Sequence, residues 1–361
     1  MSNLVYAALR DRLEKQGASL TLTPRSRLVI FSDLHMGNGS SRDDFLRNSR
    51  MFDRVLREYY LEKDFTLILN GDVEELQRNT LESIYHRWGE IYDLFRKFQA
   101  RGNLYKIAGN HDSKLLALSL EKHPFPLLEG MKLNYRGESL YVFHGHQFSI
   151  MFERFNEILG FFLRYVANIL RIKNRSTAHD SRRKWKIEKR AYEFSREGKI
   201  LSILGHTHRP LFESLSKVDA LRFEIERVCR EYVDRDEIPG GDVEGRIREL
   251  KEELNALLAR NGKEGFLNQI YSKGMMVPCL FNSGCVIGKR GMTSIEIQGD
   301  SIALVHWTDV PPSSGGNGRK PVPEEKVHPD EFPLPGYPEL RRRIIKIDDL
   351  RYIFTRISLL S

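Results

Sequence analysis

The chain has 361 residues, 40% hydrophobic and 29% charged, with a formal net charge of +8. These proportions exclude a disordered polyelectrolyte, a collagen-like repeat and a membrane bundle, and they suit a soluble globular protein with a large core. The positive balance favours phosphate-bearing partners (nucleotides, nucleic acid or an anionic lipid surface) without choosing among them. The three cysteines, Cys229, Cys279 and Cys285, show no CxxC spacing. The N-terminal stretch lacks the apolar core of a secretory leader, so a cytoplasmic protein with reduced thiols is expected.

In chain order, residues 1–25 read as an N-terminal helical segment. Then "RLVIFSDLH" (27–35) is an apolar strand that ends in polar residues, and "FTLILNGDVEE" (65–75) and "LYKIAGNHD" (104–112) repeat that design. Helical patterns at 43–62 and 80–101 separate the three strands, an alternation that predicts an α/β domain. "LYVFHGH" (140–146) and "ILSILGHTH" (200–208) are a fourth and a fifth case. Between these two lies a helical insert, 148–199, rich in aromatics, Arg and Lys. Its most apolar run, 158–170, is interrupted by Arg164 and is too short for an ordinary membrane span.

A second insert covers 214–273. Val218, Leu221, Ile225, Val228 and Tyr232 step by three and four, and so do Val243, Ile247, Leu250, Leu254 and Leu257 after "IPGGD". The pattern predicts an antiparallel helical hairpin, suited to a structural arm or a homo-oligomer contact. Residues 311–337 read as a Pro/Gly/Ser-rich linker. Residues 338–361 read as a basic amphipathic helix, with Leu340, Ile344, Ile347, Leu350 and Phe354 on one face among arginines. Such a helix suits peripheral contact with an anionic membrane, and equally docking on its own domain or on a second subunit.

The strand-end polar residues are Asp33, His35, Asp72, Asn110, His111, His144, His206 and His208. Singly, each has an ordinary explanation as a cap or turn residue. Jointly they do not, because carboxyl ends of neighbouring strands in an α/β fold converge on one crevice. In a strand, residues two apart share a face, so His206 and His208 can converge on one point. Gly205 is expected to give the tight turn before them. A mixed imidazole and carboxylate set fits Mn, Fe, Co, Ni or Zn better than an all-oxygen Mg or Ca site. Two such ions can clamp a phosphate for in-line attack.

The ordered blocks D-x-H, G-D, G-N-H-D, H-G and G-H-x-H resemble those of the calcineurin-like metallophosphoesterase superfamily, over about residues 26–310. "FNSGCV" (281–286) resembles the strand that usually closes that domain. The resemblance implies an α/β (α+β) fold of four layers, a β-sandwich flanked by helices, with the helical cap and helical hairpin as insertions. It implies a hydrolase with two divalent metal ions, Mn foremost, and a bridging hydroxide as nucleophile. Asp33, His35, Asp72 and His208 would hold one metal. Asp72, Asn110, His144 and His206 would hold the other, with Asp72 bridging. His111 would serve as the proton donor or phosphate contact, and Asp112 would orient it. His146 is expected to stand outside the ligand set, and Cys285 to be packing.

The G-D block continues as "VEEL", without the Asp-Arg-Gly of Ser/Thr protein phosphatases. "SDLHMG" and the insert before G-H-x-H are more similar to the UDP-2,3-diacylglucosamine hydrolase-like group, although His111 stands where better-known members carry Arg. The resemblance therefore implies cleavage of a phosphoester or pyrophosphate bond, of a UDP-linked lipid in the nearest case. A nucleotide or nucleic-acid phosphodiesterase is the alternative. A scaffold that has kept the fold without activity ranks last, because every block is intact.

Overall fold

The fold was derived from a computed structural model. It describes residues 2–117, 123–149, 181–214, 221, 224–225, 228–229, 243–261, 277–309 and 331–361.

The elements are α1 (Ser2–Lys15), β1 (Ala18–Thr21), β2 (Arg27–Phe31), α2 (Ser49–Val55), β3 (Thr66–Asn70), α3 (Leu81–Ala100), β4 (Leu104–Ile107), β5 (Leu127–Leu128), β6 (Met131–Tyr135) and β7 (Glu138–Val142). They continue with α4 (Ser181–Gly198), β8 (Leu201–Leu204), α5 (Val243–Asn261), β9 (Leu280–Asn282), β10 (Met292–Gln298), β11 (Ser301–Asp309), β12 (Glu331–Leu334), β13 (Tyr337–Asp349) and α6 (Leu350–Leu360). A π-helical stretch, Leu56–Leu61, prolongs α2.

Two mixed sheets stack face to face. One runs β1-β6-β7-β8-β9 and the other β12-β13-β11-β10-β2-β3-β4-β5. Strands β2, β3, β4 and β5 are parallel, and so are β7, β8 and β9. Parallel strands covered on both faces are apolar throughout; accordingly Val29, Ile30, Phe31, Ile68 and Leu69 are all fully buried. Alternate residues separate two cores. Leu28, Ile30 and Ile68 face the other sheet, whereas Val29, Phe31, Leu67 and Leu69 face Phe52, Phe95 and Phe98 of α2 and α3. Helices α1 and α4 cover the outer face of the smaller sheet through Leu9, Leu13, Ala191 and Phe194. The expected four layers are therefore present.

The N-terminal segment is not helix alone. After α1 the chain adds β1, parallel to β6 from Ala18↔Met131 to Thr21↔Asn134. Four residues of strand carry too short a pattern to stand out in sequence.

Residues 338–349 are strand, not helix. β13 pairs with β11 from Asp309↔Leu340 to Ser301↔Asp349, with one bulge. A continuous partner strand outweighs a helical stripe that happens to fit, and the β-branched Ile344, Ile345 and Ile347 favour the extended form. The helix is confined to α6, capped by Asp349, whose side chain accepts from Tyr352 N at 2.9 Å. Its apolar face (Leu350, Ile353, Phe354, Ile357) is buried against the core, so that face is spent on the protein's own domain.

The segment expected to be linker likewise ends in ordered structure, because β12 pairs with β13; residues 310–330 lie outside the described residues. Most of the first insert, 150–180, and the "IPGGD" turn also lie outside them. Within the second insert, Leu221, Ile225 and Val228 meet Ile247, Leu250 and Leu254 in a small apolar cluster. No helix among the described residues is long and apolar enough to cross a membrane.

Candidate metal centre

The polar residues stand where five strands of two different sheets end. Asp33 and His35 follow β2, Asp72 follows β3, and Asn110 and His111 follow β4, all from the larger sheet. His144 follows β7, and His206 and His208 follow β8, from the smaller one. The two facing sheets bring these strand ends to one junction. The junction is hydrogen-bonded: Asn70 Nδ2 donates to Phe143 O at 3.2 Å, and His144 Nδ1 lies 2.8 Å from Asn70 O.

The backbone bends sharply here. Asp33, His35, Asp72, His206 and His208 all hold positive φ, between 48° and 64°. That region disfavours residues with a Cβ, and such strain gathers at functional sites. Gly205 does not supply the turn expected of it, since the positive φ falls on the histidines. Its value is closeness: a Cβ there would lie 2.7 Å from Asp33 Oδ2. Gly71 combines both needs, with φ +81° and the His144 ring 2.4 Å from where a Cβ would stand.

Three groups of potential ligands emerge; one, His35, Glu75 and His111, is linked by hydrogen bonds through Glu75, and the other two hold expected ligands. In the first of those two, His208 Nε2 is 3.1 Å from Asp33 Oδ1 and 3.2 Å from His35 Nε2. In the second, Asp72, His144 and His206 turn ligand atoms toward one another within 4.8 Å. Asp72 Oδ2 lies between the sets, 3.1 Å from His144 Nε2 and 3.9 Å from His35 Nε2. These groups are close enough to bond one another directly or to ring one cation.

A fit to metal is visible in atoms that lack partners. Asp33 Oδ1, Asn110 Oδ1, His144 Nε2 and His206 Nε2 are buried without a hydrogen bond. Orphaned buried polar atoms are costly, and here each is a potential ligand atom on an expected ligand residue. Electrostatics agree. Burial opposes ionisation of Asp33, but His208 and His144 outweigh it and hold the carboxyl at about 2. Burial disfavours protonated His144, yet Asp72 and Asp33 push the imidazole up to about 10. The gap between His144 and the aspartates therefore calls for positive charge, supplied by a proton or by a metal ion that displaces it. His206 goes the other way: burial and the adjacent His144 hold it at about 3, a neutral ring ready to ligate.

A family model for calcineurin-like phosphoesterases matches residues 26–234, more than half of the chain. The chain belongs to that family. It is a hydrolase acting on phosphoester bonds. Among solved structures, a conserved uncharacterized protein from Streptococcus pneumoniae TIGR4, described as a predicted phosphoesterase, aligns at 13% identity over 78% of this chain and 89% of that one. The TM-score is 0.30, too loose to transfer any residue's role. No curated protein matches the chain.

In this phosphoesterase the partner of His111 is Glu75 rather than the expected Asp112. His111 Nδ1 is 2.9 Å from Glu75 Oε1, and His35 Nδ1 is 3.1 Å from Oε2 of the same carboxylate. Burial works against its charge, but His111 and His35 keep Glu75 ionised, down to about 2. An ionised carboxylate only accepts, so both rings present Nδ1–H to it and turn Nε2 toward the centre. Asp112 instead accepts from Val73 N at 2.7 Å and Gly109 N at 2.6 Å, pinning the loops after β3 and β4. Burial, with Glu74 and Asp72 nearby, raises its carboxyl to about 6. The missed signal was the second acid of "DVEE", three residues after Asp72.

His146 is buried, with its ring 5.5 Å from His144 and 6.4 Å from His206, outside both ligand sets. Burial, His144 and His206 hold it well below the usual imidazole range. Cys285 is a free thiol pushed up to about 12 by burial and Asp33, a poor nucleophile. Beyond the matched span, Asn282 of "FNSGCV" fixes the loop after β8: its Nδ2 donates to Gly205 O at 2.8 Å and Thr207 Oγ1 at 3.0 Å.

Proposed function

We propose that the protein hydrolyses a phosphoester or pyrophosphate bond at a dinuclear centre. Asp33, His35, Asp72 and His208 would hold one divalent ion, and Asp72, Asn110, His144 and His206 the other, with Mn the first metal to test. The observation that supports this reading is the pair of ligand sets meeting at Asp72, with their inward atoms unpartnered. When bound, the ions would supply Lewis acidity, neutralising phosphoryl charge and making water acidic at neutral pH.

The chain's own residues do the rest. His111 is 15% exposed at its side chain and is oriented by Glu75, which lies 2.9 Å from its Nδ1. With Nδ1 fixed, Nε2 is placed to deliver a proton to the leaving oxygen. Asp112 keeps the loop of His111 in register through the Val73 and Gly109 amides.

Metal content by mass spectrometry, measured beside hydrolysis of a generic aryl phosphodiester, tests the reading. Two equivalents of metal and turnover lost in His111→Ala are expected. A protein that binds no metal, or cleaves equally well after Asp72→Asn, overturns it. UDP-2,3-diacylglucosamine in detergent comes next, prompted by "SDLHMG" and the insert before the G-H-x-H loop. Turnover there assigns a UDP-linked lipid; turnover of the aryl ester alone directs the search to nucleotides.

A further inference from the structure

The last helix of the first insert reaches the metal centre. Ile187, Ala191 and Phe194 of α4 pack into the core, and Glu188 is buried on the same side of that helix. A carboxylate there is costly unless fully partnered. Its partners are Thr207, whose hydroxyl donates to Oε1 at 2.8 Å, and Arg209, whose guanidinium is paired with Oε2. These two residues flank His208 in sequence. Thr207 Oγ1 also accepts from Asn282, so the loop is held from the helix side and the sheet side at one atom. His206 and His208 meanwhile hold φ of 64° and 55°, a conformation that needs an external restraint.

We infer that Glu188 is a positioning residue: it fixes the loop that presents His206 and His208, one to each ligand set. Helix α4 is thereby part of the scaffold of the proposed metal centre. This rests on the reading of both histidines as metal ligands. Partners of metal-binding side chains typically change affinity by about 10–100-fold when removed, and an effect of that size is expected for Glu188→Ala.

The test uses the full chain, treated with chelator and titrated with cobalt(II), whose visible absorption reports ligand geometry. Wild type is expected to bind with developed bands and His208→Ala to lose one site. Glu188→Ala should bind about 10–100-fold more weakly, with altered bands. Glu188→Gln, which keeps an acceptor for Thr207, should fall between. A Glu188→Ala protein with a lower melting temperature but wild-type cobalt affinity and spectrum would show a merely structural ion pair and overturn the inference. If Glu188→Ala does not fold, Thr207→Val decides, and unchanged cobalt binding there is equally fatal. A wild type that binds no cobalt overturns the metal reading itself.

Discussion

Two buried polar clusters border the larger sheet, and they are built on opposite principles. Beneath β10 and β13, Glu296 accepts from Arg342 Nε at 3.1 Å and Nη2 at 2.6 Å, from Tyr60 at 2.7 Å and from Gln298 at 3.0 Å. Trp307 in turn donates to Tyr60 at 2.9 Å. Both Glu296 oxygens are satisfied, and these residues do not figure among those with positive φ. At the candidate metal centre, by contrast, four inward atoms make no well-aligned hydrogen bond and five residues hold strained backbone. A closed network specifies the fold; an open one is set up for something that arrives from outside. Burial and charge alone do not distinguish the two; the balance of donors and acceptors does.

The sharpest way to break this contrast is to mutate each cluster and ask which property moves. Asp72→Asn should cut turnover by roughly 10³-fold or more while the melting temperature of the metal-free protein holds or rises, since removing charge from a crowded site relieves strain. A large loss of stability with proportionate activity would erase the distinction. Arg342→Ala should do the converse. It strands Glu296 and should cost about 3–5 kcal/mol in denaturant unfolding. The folded fraction should keep wild-type kcat, because the cluster does not figure in either ligand set.

A smaller effect sharpens the boundary. Glu75→Gln retains the shape but loses the charge that holds His35 and His111. Activity should fall about 10–100-fold, and the pH profile should change, because the carboxylate that orients both rings is gone. An unchanged profile would return the orienting role to Asp112.

The smallest prediction concerns a third acid of mixed character. Glu213 pairs with Arg356 at 2.9 Å, but burial and its neighbour Asp348 raise its carboxyl from 4.5 to about 7. A raised folded value means that its stabilising contribution is complete below pH 4.5 and is lost as pH rises through 7. Between pH 5 and 8, wild type should therefore lose on the order of 1 kcal/mol relative to Glu213→Gln. Parallel melting curves for the two proteins would remove the effect.

The five motif blocks were legible because each is an apolar strand that ends abruptly in Asp, Asn or His, a transition that burial makes conspicuous. What sequence could not supply was depth. It did not show that β2, β3 and β4 face β7 and β8 from another sheet, since register and stacking are set by distant partners. Glu75 was hidden for a related reason: chain proximity favoured Asp112, whereas the fold turns that carboxylate toward backbone amides. In β13 the competition was between two periodicities. Leu340, Ile344 and Ile347 fit a helical stripe, and only the presence of β11 as partner settles the extended form.

That the ligands come from both sheets has a consequence beyond chemistry. The layers are otherwise joined by apolar contact and a few hydrogen bonds such as Asn70 to Phe143. An ion held, as proposed, by Asp33 and Asp72 on one side and by His144 and His206 on the other would join the two sheets at this seam. It would then add stability in proportion to the logarithm of free ion over its dissociation constant. Starved of metal, this fold would loosen first along the line where its two halves meet.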